Sequence, residues 1–365
     1  MPGGGRVKAV IVHYVFVSKR GGEIVAEAIG EALPDADLIS HVVKQDALFG
    51  SLRGRNVATT FISKLPFAER RHQVYMPLMP LALESLNVNS YDLIVSSEAG
   101  PTKWVIPNPN ARHICYCHSP LRYIWDQRDI YFGQLPRLLR PLAHATASSL
   151  RRSDALSANR VDEFIANSNF VRNRIWKYYR REAQVIHPPI SVEEYDVGDG
   201  GDYYLIAGEN RRYKRMDLAI KACTALGRRL IVAGGGSDSK DLRAIAGPTV
   251  EFVGRPDDAA FRKLLSGCRA FLFPGAEDFG IVAVEAMASG RPVIALAEGG
   301  ALDSVAHGVS GMLYRGTEVE DVKAAIVAFE GSEGAFQPAQ CVAQAMRFDR
   351  KVFLRKFRSV IDAVS

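Results

Sequence analysis

The sequence predicts an α/β protein of two domains, each built around a parallel sheet. Its 365 residues, 47% hydrophobic and 24% charged, have the composition of globular proteins and the length of about two domains. Short runs rich in β-branched residues alternate with segments of helical periodicity along most of the chain. Pro188, Pro189 and three closely spaced glycines interrupt this alternation at 185–202, which predicts a linker.

The first half opens with a predicted buried strand at 7–17, a glycine turn at 18–22 and a helix at 23–33. A strand, a glycine turn and a helix begin a Rossmann-like unit, in which the turn amides can meet an anion. Three further strands are predicted at 91–96, 112–117 and 164–167.

The second half alternates more regularly, which predicts a doubly wound parallel sheet. We predict strands at 203–207, 230–233, 250–253, 270–273 and 292–295, and helices at 216–226, 257–265, 281–289 and 319–329. A basic amphipathic helix follows at 349–364. We therefore expect a domain at 1–188, a second domain at 189–346, and a helix at 347–365 that packs back on the first domain.

Several classes of protein are excluded by simple patterns. The longest apolar patch, at 73–83, contains two prolines and is far shorter than the roughly 18 to 20 residues of a spanning helix. The first six residues have no apolar signal core. The five cysteines are scattered, and we expect buried free thiols rather than a disulfide framework or a zinc site. We therefore expect a soluble cytoplasmic protein.

The net charge of +6 is unevenly distributed. Residues 103–181 contain 14 Lys and Arg against 5 Asp and Glu, whereas the rest of the chain contains 32 against 35. A basic half indicates an anionic partner, which is a nucleic acid, an anionic membrane surface or a phosphorylated substrate.

The densest chemical signal lies at 273–285. A predicted strand ends at Phe273, a loop carries Glu277, and the following helix holds Glu285. The N-terminal amides of that helix can bind a phosphate, and carboxylates beside a phosphate suit sugar hydroxyls. A sugar and a ribose on either side of a diphosphate would satisfy the arrangement. The alternative is a solvated loop glutamate and a helix glutamate paired with a neighbour.

Glu277 and Glu285 resemble the signature of retaining glycosyltransferases of family 4. That family has the GT-B architecture, in which two Rossmann-like domains face each other across a cleft. Other parts of the resemblance are 20–23 (RGGE), 117–126 (CHSPLRYIWD), 166–168 (ANS), 213–215 (YKR), 232–235 (VAGG), 252–255 (FVGR) and 298–300 (EGG).

The resemblance implies a role for each matching residue. His118 would hydrogen-bond a sugar hydroxyl near the reactive carbon, Lys214 would hold the diphosphate, and Glu277 would bind sugar hydroxyls. The implied donor-binding residues are Gly21 and Gly22, which let the backbone approach the diphosphate, Arg212, Arg255 near the base, the amides of Phe279, Gly280 and Ile281, and Glu285 on the ribose.

One position departs from the family pattern. The family usually has an arginine five residues before its phosphate-binding lysine, and here that residue is Glu209. Arg211 or Arg212 could supply the missing charge from the same loop. The alternative is that both arginines lie in a solvated turn.

The implied reaction moves a hexose from a nucleoside diphosphate sugar to an acceptor hydroxyl with retention of configuration. Lys214 and helix amides would neutralise the diphosphate, so we expect no metal and no cofactor. A sugar-nucleotide epimerase and a non-catalytic scaffold are alternatives on the same fold, and the scaffold would explain Glu209. A nucleic-acid partner is not expected, because the aromatic and basic pattern of an RNA-binding sheet is missing.

The segments 66–69, 75–84 and 117–126 resemble a bacterial subgroup that builds O-antigens and exopolysaccharides. This implies an α-mannosyltransferase that uses GDP-mannose, with a UDP-hexose as the alternative donor. Lys64, Arg70 and Arg71, and the stretch 135–142 with Arg151 and Arg152, combine basic and apolar residues. They favour docking on the inner face of the bacterial plasma membrane and a polyprenyl-diphosphate-linked saccharide acceptor. The alternative is an ordinary solvated helix face.

Overall fold

The computed structural model describes residues 7–19, 21–133, 136–236 and 239–364. Arg20 and Leu135, which belong to two of the predicted motifs, lie outside this part of the chain. The chain divides into two compact units: Met1–Pro189 with Phe353–Ser365, and Ile190–Val352.

The first unit contains a sheet of seven parallel strands in the order β3-β2-β1-β4-β5-β6-β7. The strands are β1 (Ala9–Phe16), β2 (Asp37–Val43), β3 (Val57–Thr59), β4 (Leu93–Glu98), β5 (Arg112–Cys117), β6 (Glu163–Ala166) and β7 (Gln184–Val185). The helices are α1 (Gly21–Ala32), α2 (Ala68–Arg71), α3 (Met79–Glu84), α4 (Arg128–Phe132), α5 (Arg140–Ser157) and α6 (Asn169–Tyr179).

The first strand shows why this sheet is covered on both faces. Ala9 and Ile11 belong to one hydrophobic cluster, whereas Val10 and Val12 belong to another. Because successive side chains of a strand point to opposite faces, these two clusters lie on opposite sides of the sheet. The continuous apolar run of β1 is therefore explained by burial of the sheet on both faces, which is typical of parallel sheets.

The second unit contains six parallel strands in the order β10-β9-β8-β11-β12-β13. The strands are β8 (Tyr203–Ala207), β9 (Arg229–Ala233), β10 (Val250–Gly254), β11 (Ala270–Phe273), β12 (Val293–Leu296) and β13 (Gly311–Tyr314). The helices are α7 (Met216–Leu226), α8 (Ser239–Ala244), α9 (Asp258–Gly267), α10 (Ile281–Ala288), α11 (Ala301–Ser304), α12 (Val319–Ser332), α13 (Pro338–Ala345) and α14 (Arg350–Val364), whose first three residues fall in this unit.

Most of α14 belongs to the first unit. Phe353 and Phe357 are buried and stack on each other with ring centroids 5.6 Å apart. Phe353 also meets Tyr116 of β5 edge-on at 5.8 Å. These rings form part of the same hydrophobic cluster as Ile11 of β1. Helix α14 therefore completes the core of the first unit, although the second unit separates it in sequence from the strands it covers.

The predicted fold class is confirmed, because both units are α/β structures with parallel sheets. The predicted strands 112–117, 203–207 and 270–273 have the observed bounds. Helix α1 differs from the prediction, since it begins at Gly21 and takes in both glycines assigned to the turn. Strand β2 was not predicted, and neither were helices α5 and α6.

The predicted linker at 185–202 is mostly packed structure. Val192 lies in the core of the second unit, and the carbonyl of Gly198 accepts a hydrogen bond from Arg291. A Cβ atom at Gly198 or Gly201 would lie 2.5 Å from the carbonyl oxygens of Ser266 and Gly267, respectively. The glycines therefore allow the backbone to approach α9 closely, and this requirement produces the same sequence pattern as a flexible linker.

Candidate functional site

Each sheet has a switch point where the strand order reverses, between β1 and β4 in the first unit and between β8 and β11 in the second. Open parallel sheets bind ligands at the carboxyl ends of the strands beside such a point. In the second unit the loops 208–215 and 274–280 follow the two switch-point strands. These loops carry Lys214 and Glu277, so the fold places both predicted residues at the expected ligand edge.

Lys214 is held by a single 3₁₀ turn, Arg212–Lys214, and by two glycines. A Cβ atom at Gly208 would lie 3.0 Å from Lys214 Cε and Nζ, and one at Gly275 would lie 2.7 Å from Lys214 Cα. The lysine side chain therefore runs against bare backbone. Its Nζ donates a hydrogen bond to Glu277 Oε1 at 2.5 Å, and both side chains are largely buried.

The loop of Glu277 is fixed from its other side by the Glu-Gly-Gly segment that ends at Gly300. The amide of Gly300 donates to the carbonyl of Glu277 at 2.8 Å. A Cβ atom at Gly299 would lie 2.3 Å from that carbonyl oxygen, and one at Gly300 would lie 2.3 Å from Phe279 Cα. The glycine pair is therefore required by close backbone packing, which orients the Glu277 loop.

Gly280 caps the N-terminus of α10 in the left-handed conformation, with φ +81°. A Cβ atom there would also lie 2.3 Å from the ring of Phe273. Ile281 is the first residue of the helix, so the amides of the first turn meet the same loop as Glu277. The side chain of Phe279 is buried against Phe348, and only its backbone can serve a ligand.

Glu285 lies on the second turn of α10, where it is half-buried. The hydroxyl of Tyr195 donates a hydrogen bond to Glu285 Oε1 at 2.8 Å. Burial, reinforced by Glu285, raises the pKa of Tyr195 well above its usual value, so the phenol stays protonated as the donor. Sequence reasoning missed Tyr195, because it lies in the segment interpreted as a linker and no motif marks it.

The two predicted arginines of the donor site are both exposed. Arg212 begins the 3₁₀ turn that ends at Lys214. Arg255 directly follows β10, which lies at the edge of the sheet two strands away from β8. Arg212 is therefore part of the loop that carries Lys214, whereas Arg255 belongs to the carboxyl end of a more distant strand.

In the first unit the predicted residues also lie at the carboxyl edge of the sheet. Gly21 and Gly22 form the first turn of α1, after β1, and His118 follows the last residue of β5. A Cβ atom at Gly22 would lie 3.1 Å from Ala99 Cβ and 3.7 Å from His13 Cε1. A side chain at this position would press on the loop after β4, so the glycine fits a close helix–loop contact.

His118 is held by its backbone and by its ring. Its backbone amide donates a hydrogen bond to the backbone carbonyl of Glu98, and its own carbonyl accepts one from Asn167 Nδ2 at 2.9 Å. Its ring nitrogen Nε2 lies 3.0 Å from Ser97 Oγ. Burial lowers the pKa of His118 below its usual value, so the ring is neutral at pH 7.

The segment 119–126, which follows His118, is held by hydrogen bonds to the buried side chains of Arg174 and Asp154. Arg174 of α6 contacts Ser119 and donates to the carboxylate of Asp126 at 2.6 Å. Trp125 donates its indole N–H to Asp154 of α5 at 2.7 Å. The motif at 117–126 therefore owes its conformation to helices that sequence reasoning did not predict.

Asp154 belongs to a cluster that is fully buried in the first unit. Lys103 pairs with both Glu98 and Asp154, and Tyr179 donates to Asp154 at 2.8 Å. Burial opposes the charge on Lys103, but Asp154 and Glu98 raise its pKa above the usual value. One lysine thus compensates two buried carboxylates, and this cluster was not predicted either.

Two family models match overlapping parts of the chain. Residues 19–194 match the family model described as Glycosyltransferase Family 4, and residues 168–345 match the model described as Glycosyl transferases group 1. The chain carries a glycosyltransferase family 4 domain and a glycosyltransferase group 1 domain. The predicted resemblance is therefore confirmed at the level of its domains.

Curated relatives of these glycosyltransferase domains have different specificities. The alpha-1,3/1,6-mannosyltransferase ALG2 of Mus musculus is 25% identical over 66% of this chain and 65% of its own length. The D-inositol 3-phosphate glycosyltransferase of Mycobacterium marinum is 27% identical over 61% of this chain and 57% of its own length. The chain thus matches less than two thirds of the length of each relative.

Solved structures with the same architecture match nearly the whole chain. Alr3699/HepE of Anabaena, in complex with UDP and glucose, has a TM-score of 0.73 and 18% identity over 98% of this chain and 100% of its own. Sucrose-phosphate synthase of Thermosynechococcus elongatus has a TM-score of 0.74 and 16% identity over 98% and 99%. These likenesses establish the GT-B fold.

The resemblance implies an arginine at position 209, where this chain has Glu209. Glu209 Oε1 accepts a hydrogen bond from Arg211 Nη2 at 2.7 Å. The charge of Arg211 is therefore balanced within its own loop, whereas Arg212 begins the turn of Lys214.

The described residues form neither a metal-binding cluster nor a membrane-spanning helix. Within 7–19, 21–133, 136–236 and 239–364 no group of three or more His, Cys, Asp or Glu side chains is arranged to hold a metal ion. Across the same ranges no helix combines the length and the apolar character that crossing a bilayer requires. All five cysteines are free and buried, as predicted.

Proposed function

We propose that this protein is a retaining hexosyltransferase that moves a sugar from a nucleoside diphosphate sugar to an acceptor hydroxyl. The observation that carries the proposal is the Lys214–Glu277 pair at the switch point of the group 1 domain. A cation for phosphate and a carboxylate for hydroxyls stand side by side, and Glu285 follows on the next helix. This is the set of groups that a sugar, a diphosphate and a ribose would need.

The proposed mechanism assigns charge stabilisation to Lys214 and to the first amides of α10. As the glycosidic bond breaks, negative charge develops on the departing diphosphate, and a fixed cation stabilises it. Glu277 binds sugar hydroxyls and His118 binds a further sugar hydroxyl, so that the reacting atoms are held in position. In the proposed front-face route the leaving phosphate oxygen takes the proton of the acceptor.

The other predicted donor-site residues keep their roles in this proposal. Gly21 and Gly22 allow the backbone to approach the diphosphate, and Arg212 adds charge beside Lys214. Arg255 contacts the base and Glu285 the ribose. Tyr195 joins them as the residue that orients Glu285, because its hydroxyl donates a hydrogen bond to the Glu285 carboxylate.

For the donor we propose GDP-mannose. The proposal is supported by the resemblance of 66–69, 75–84 and 117–126 to bacterial O-antigen and exopolysaccharide enzymes, and by the mannosyltransferase name of the ALG2 relatives. A UDP-hexose is the second candidate, because HepE has been solved with UDP and with UDP-glucose.

For the acceptor we propose a polyprenyl-diphosphate-linked saccharide reached at the inner face of the bacterial plasma membrane. The start of α5 and the turn before it leave Leu138 93%, Leu142 67% and Leu139 51% exposed. Arg137 and Arg140 lie among these leucines. Exposed leucines beside arginines suit an anionic leaflet, to which each nearby basic residue contributes about 1 kcal/mol.

A second basic and apolar surface of the first unit supports the same acceptor. Phe67, Val74 and Leu81 are exposed, and Arg70 and Arg71 lie between Phe67 and Val74. Phe67 adopts a left-handed conformation, φ +55°, which is costly for a bulky residue. Such strain at an exposed aromatic residue fits a side chain that is presented to a partner.

The donor is tested by thermal stabilisation with GDP, UDP, GDP-mannose and UDP-glucose, for the wild type and for Glu285→Ala. We expect GDP and GDP-mannose to raise the melting temperature of the wild type and to lose most of this effect in Glu285→Ala. The matched control is Glu320→Ala, which removes an exposed glutamate of α12. A shift with the uridine nucleotides alone would select the UDP-hexose, and no shift with any nucleotide would overturn the proposal.

The acceptor surface is tested by sedimentation with vesicles of phosphatidylglycerol or phosphatidylcholine. We expect binding to the anionic vesicles only, and its loss in the double variant Leu138→Ser, Leu142→Ser. Val327→Ser, which changes an exposed valine of α12, is the control. Equal binding to both lipids, or unchanged binding by the double variant, would contradict the membrane proposal.

Conversion of the donor without an acceptor would instead indicate an epimerase.

A further inference from the structure

Three buried or partly buried groups form a chain of contacts beneath the site of the first unit. His13 Nδ1 lies 3.1 Å from Ser97 Oγ, and Ser97 Oγ lies 3.0 Å from His118 Nε2. His13 on β1 and Ser97 on β4 are directly paired across the sheet, and both are almost fully buried. The pairing of the two central strands thus fixes the position of Ser97. The Ser97 hydroxyl in turn fixes the position of the His118 ring.

The hydroxyl of Ser97 has one proton, and this limits how the three groups can be protonated. If His13 Nδ1 donates to Ser97, then the hydroxyl donates to His118 Nε2, and both rings carry their proton on Nδ1. If His118 Nε2 donates to Ser97, then the hydroxyl donates to His13 Nδ1, and both rings carry their proton on Nε2. When the hydroxyl accepts from one ring and donates to the other, the two neutral rings share the same tautomer, whereas two rings that both donate to its oxygen carry opposite tautomers.

Both rings are neutral under ordinary conditions. Burial and, to a smaller extent, proximity to His118 lower the pKa of His13 to about 3. Burial also lowers the pKa of His118. No charged state of either ring therefore competes near pH 7, and the coupling of the tautomers applies there.

We propose that His13 and Ser97 are positioning residues that hold His118 in one neutral tautomer and one ring orientation. The inference rests on the proposed function for the role of His118 toward substrate. A ring fixed in this way presents Nδ1 either as a donor or as an acceptor throughout the reaction. The sugar hydroxyl then has one way to hydrogen-bond His118, and the reacting atoms are positioned accordingly.

A neighbouring pair provides a matched control. Ser96, next to Ser97 on β4, contacts His113 Nε2 through its hydroxyl. Ser96 is as buried as Ser97, but the two side chains point to opposite faces of the sheet. Ser96→Ala and Ser97→Ala therefore each remove one hydroxyl oxygen from the same strand. Only Ser97→Ala breaks the contact with His118.

The first experiment measures the tautomers directly in the full-length protein labelled with ¹⁵N in its histidine rings. Long-range ¹H–¹⁵N correlation spectra distinguish Nδ1–H from Nε2–H rings. We expect a single tautomer for each of His13 and His118, and a mixture for His118 in Ser97→Ala. The His118 signals should not change in Ser96→Ala. A mixture of tautomers for His118 in the wild type, or an unchanged His118 in Ser97→Ala, would overturn the inference.

The second experiment measures initial rates of sugar transfer for the same variants. We expect Ser97→Ala to lower kcat about tenfold with KM for the donor changed less than twofold, Ser97→Thr to restore most of kcat, and Ser96→Ala to match the wild type. Equal loss in Ser96→Ala and Ser97→Ala would show a general packing effect and contradict the positioning role. If the wild type transfers no sugar, the proposed function fails, and the spectra still decide the relation between the two rings.

Discussion

Lys214 Nζ lies 2.5 Å from Glu277 Oε1, so the residue expected to bind the diphosphate and the residue expected to bind the sugar bind each other. The pair is largely buried, which makes either charge costly without a partner. A donor therefore has to replace the contact on both sides, with a phosphate for Lys214 and sugar hydroxyls for Glu277. Neither charge is left uncompensated before the substrate arrives.

Lys214→Ala should reduce kcat strongly. Removing a fixed cation from the departing diphosphate costs about 2 to 4 kcal/mol of barrier, which is about 30- to 1000-fold in kcat. Lys221→Ala removes an exposed lysine of α7 in the same unit and should leave kcat unchanged. Steady-state kinetics check both variants. A Lys214→Ala enzyme with wild-type kcat would remove this lysine from the mechanism.

Gly280→Ala should abolish detectable nucleotide binding, whereas Gly254→Ala should preserve it. Both glycines have positive φ, +81° and +70°, so a Cβ atom strains the backbone at each position. Only at Gly280 would the Cβ also lie 2.3 Å from the ring of Phe273, while at Gly254 nothing lies within 4 Å. Calorimetric titration with nucleotide checks the difference, and similar affinities for the two variants would contradict this assignment of Gly280.

The free energy of unfolding of the first unit should fall as the pH is lowered from about 6.5 toward 4. Burial lowers the folded-state pKa of His13 to about 3 and those of His41 and His113 to about 4. Below pH 6.5 the unfolded chain binds protons at these residues and the folded protein does not. Each histidine therefore contributes stability that is complete above pH 6.5 and is lost by up to about 1.4 kcal/mol per pH unit below it.

Tryptophan fluorescence during urea unfolding checks this pH dependence. Trp104, Trp125 and Trp176 are the three tryptophans of the chain, and all belong to the first unit. Their emission therefore reports that unit alone. His113→Asn should reduce the slope of the unfolding free energy against pH by the contribution of one histidine. A slope equal to that of the wild type would show that His113 does not contribute to the pH dependence.

Lys103→Met should destabilise the first unit by about 3 to 5 kcal/mol, because it leaves Glu98 and Asp154 buried without a cation. Arg112→Met breaks the exposed pair with Asp162 and should cost at most about 1 kcal/mol. The same fluorescence measurement compares the two. If both variants lose equally little, the buried lysine does not compensate the two carboxylates.

The sequence was sufficient for the features that depend on local pattern. Strand β8 and helix α7 have their predicted bounds, because hydrophobic period and glycine punctuation determine them locally. The loop of Glu277 was recognised for the same reason, since it follows a clearly marked strand, whereas the role of Lys214 was implied by the resemblance to family 4 glycosyltransferases. That the two side chains meet depends on the order β8-β11 in the sheet, which the pattern of a single chain does not specify.

Other features of the site depend on pairing between distant segments. Tyr195 donates to Glu285 across 90 positions of sequence, and Lys103 binds Asp154 across 51. Ser97 is not part of any recognisable motif, and it lies beside His118 because β4 pairs with β1 in the register that places Ser97 opposite His13. Such contacts are set by tertiary packing, and for this reason composition and periodicity did not indicate them.

The packing of α14 also affects how the protein folds as it is synthesised. Phe353 and Phe357 cover Tyr116 in the core of the first unit, but the ribosome reaches them only after it has made all of residues 190–352. At 5 to 20 residues per second this takes on the order of 10 to 30 s. During that time the nascent first unit has an uncovered apolar face, which is buried only when α14 has been made.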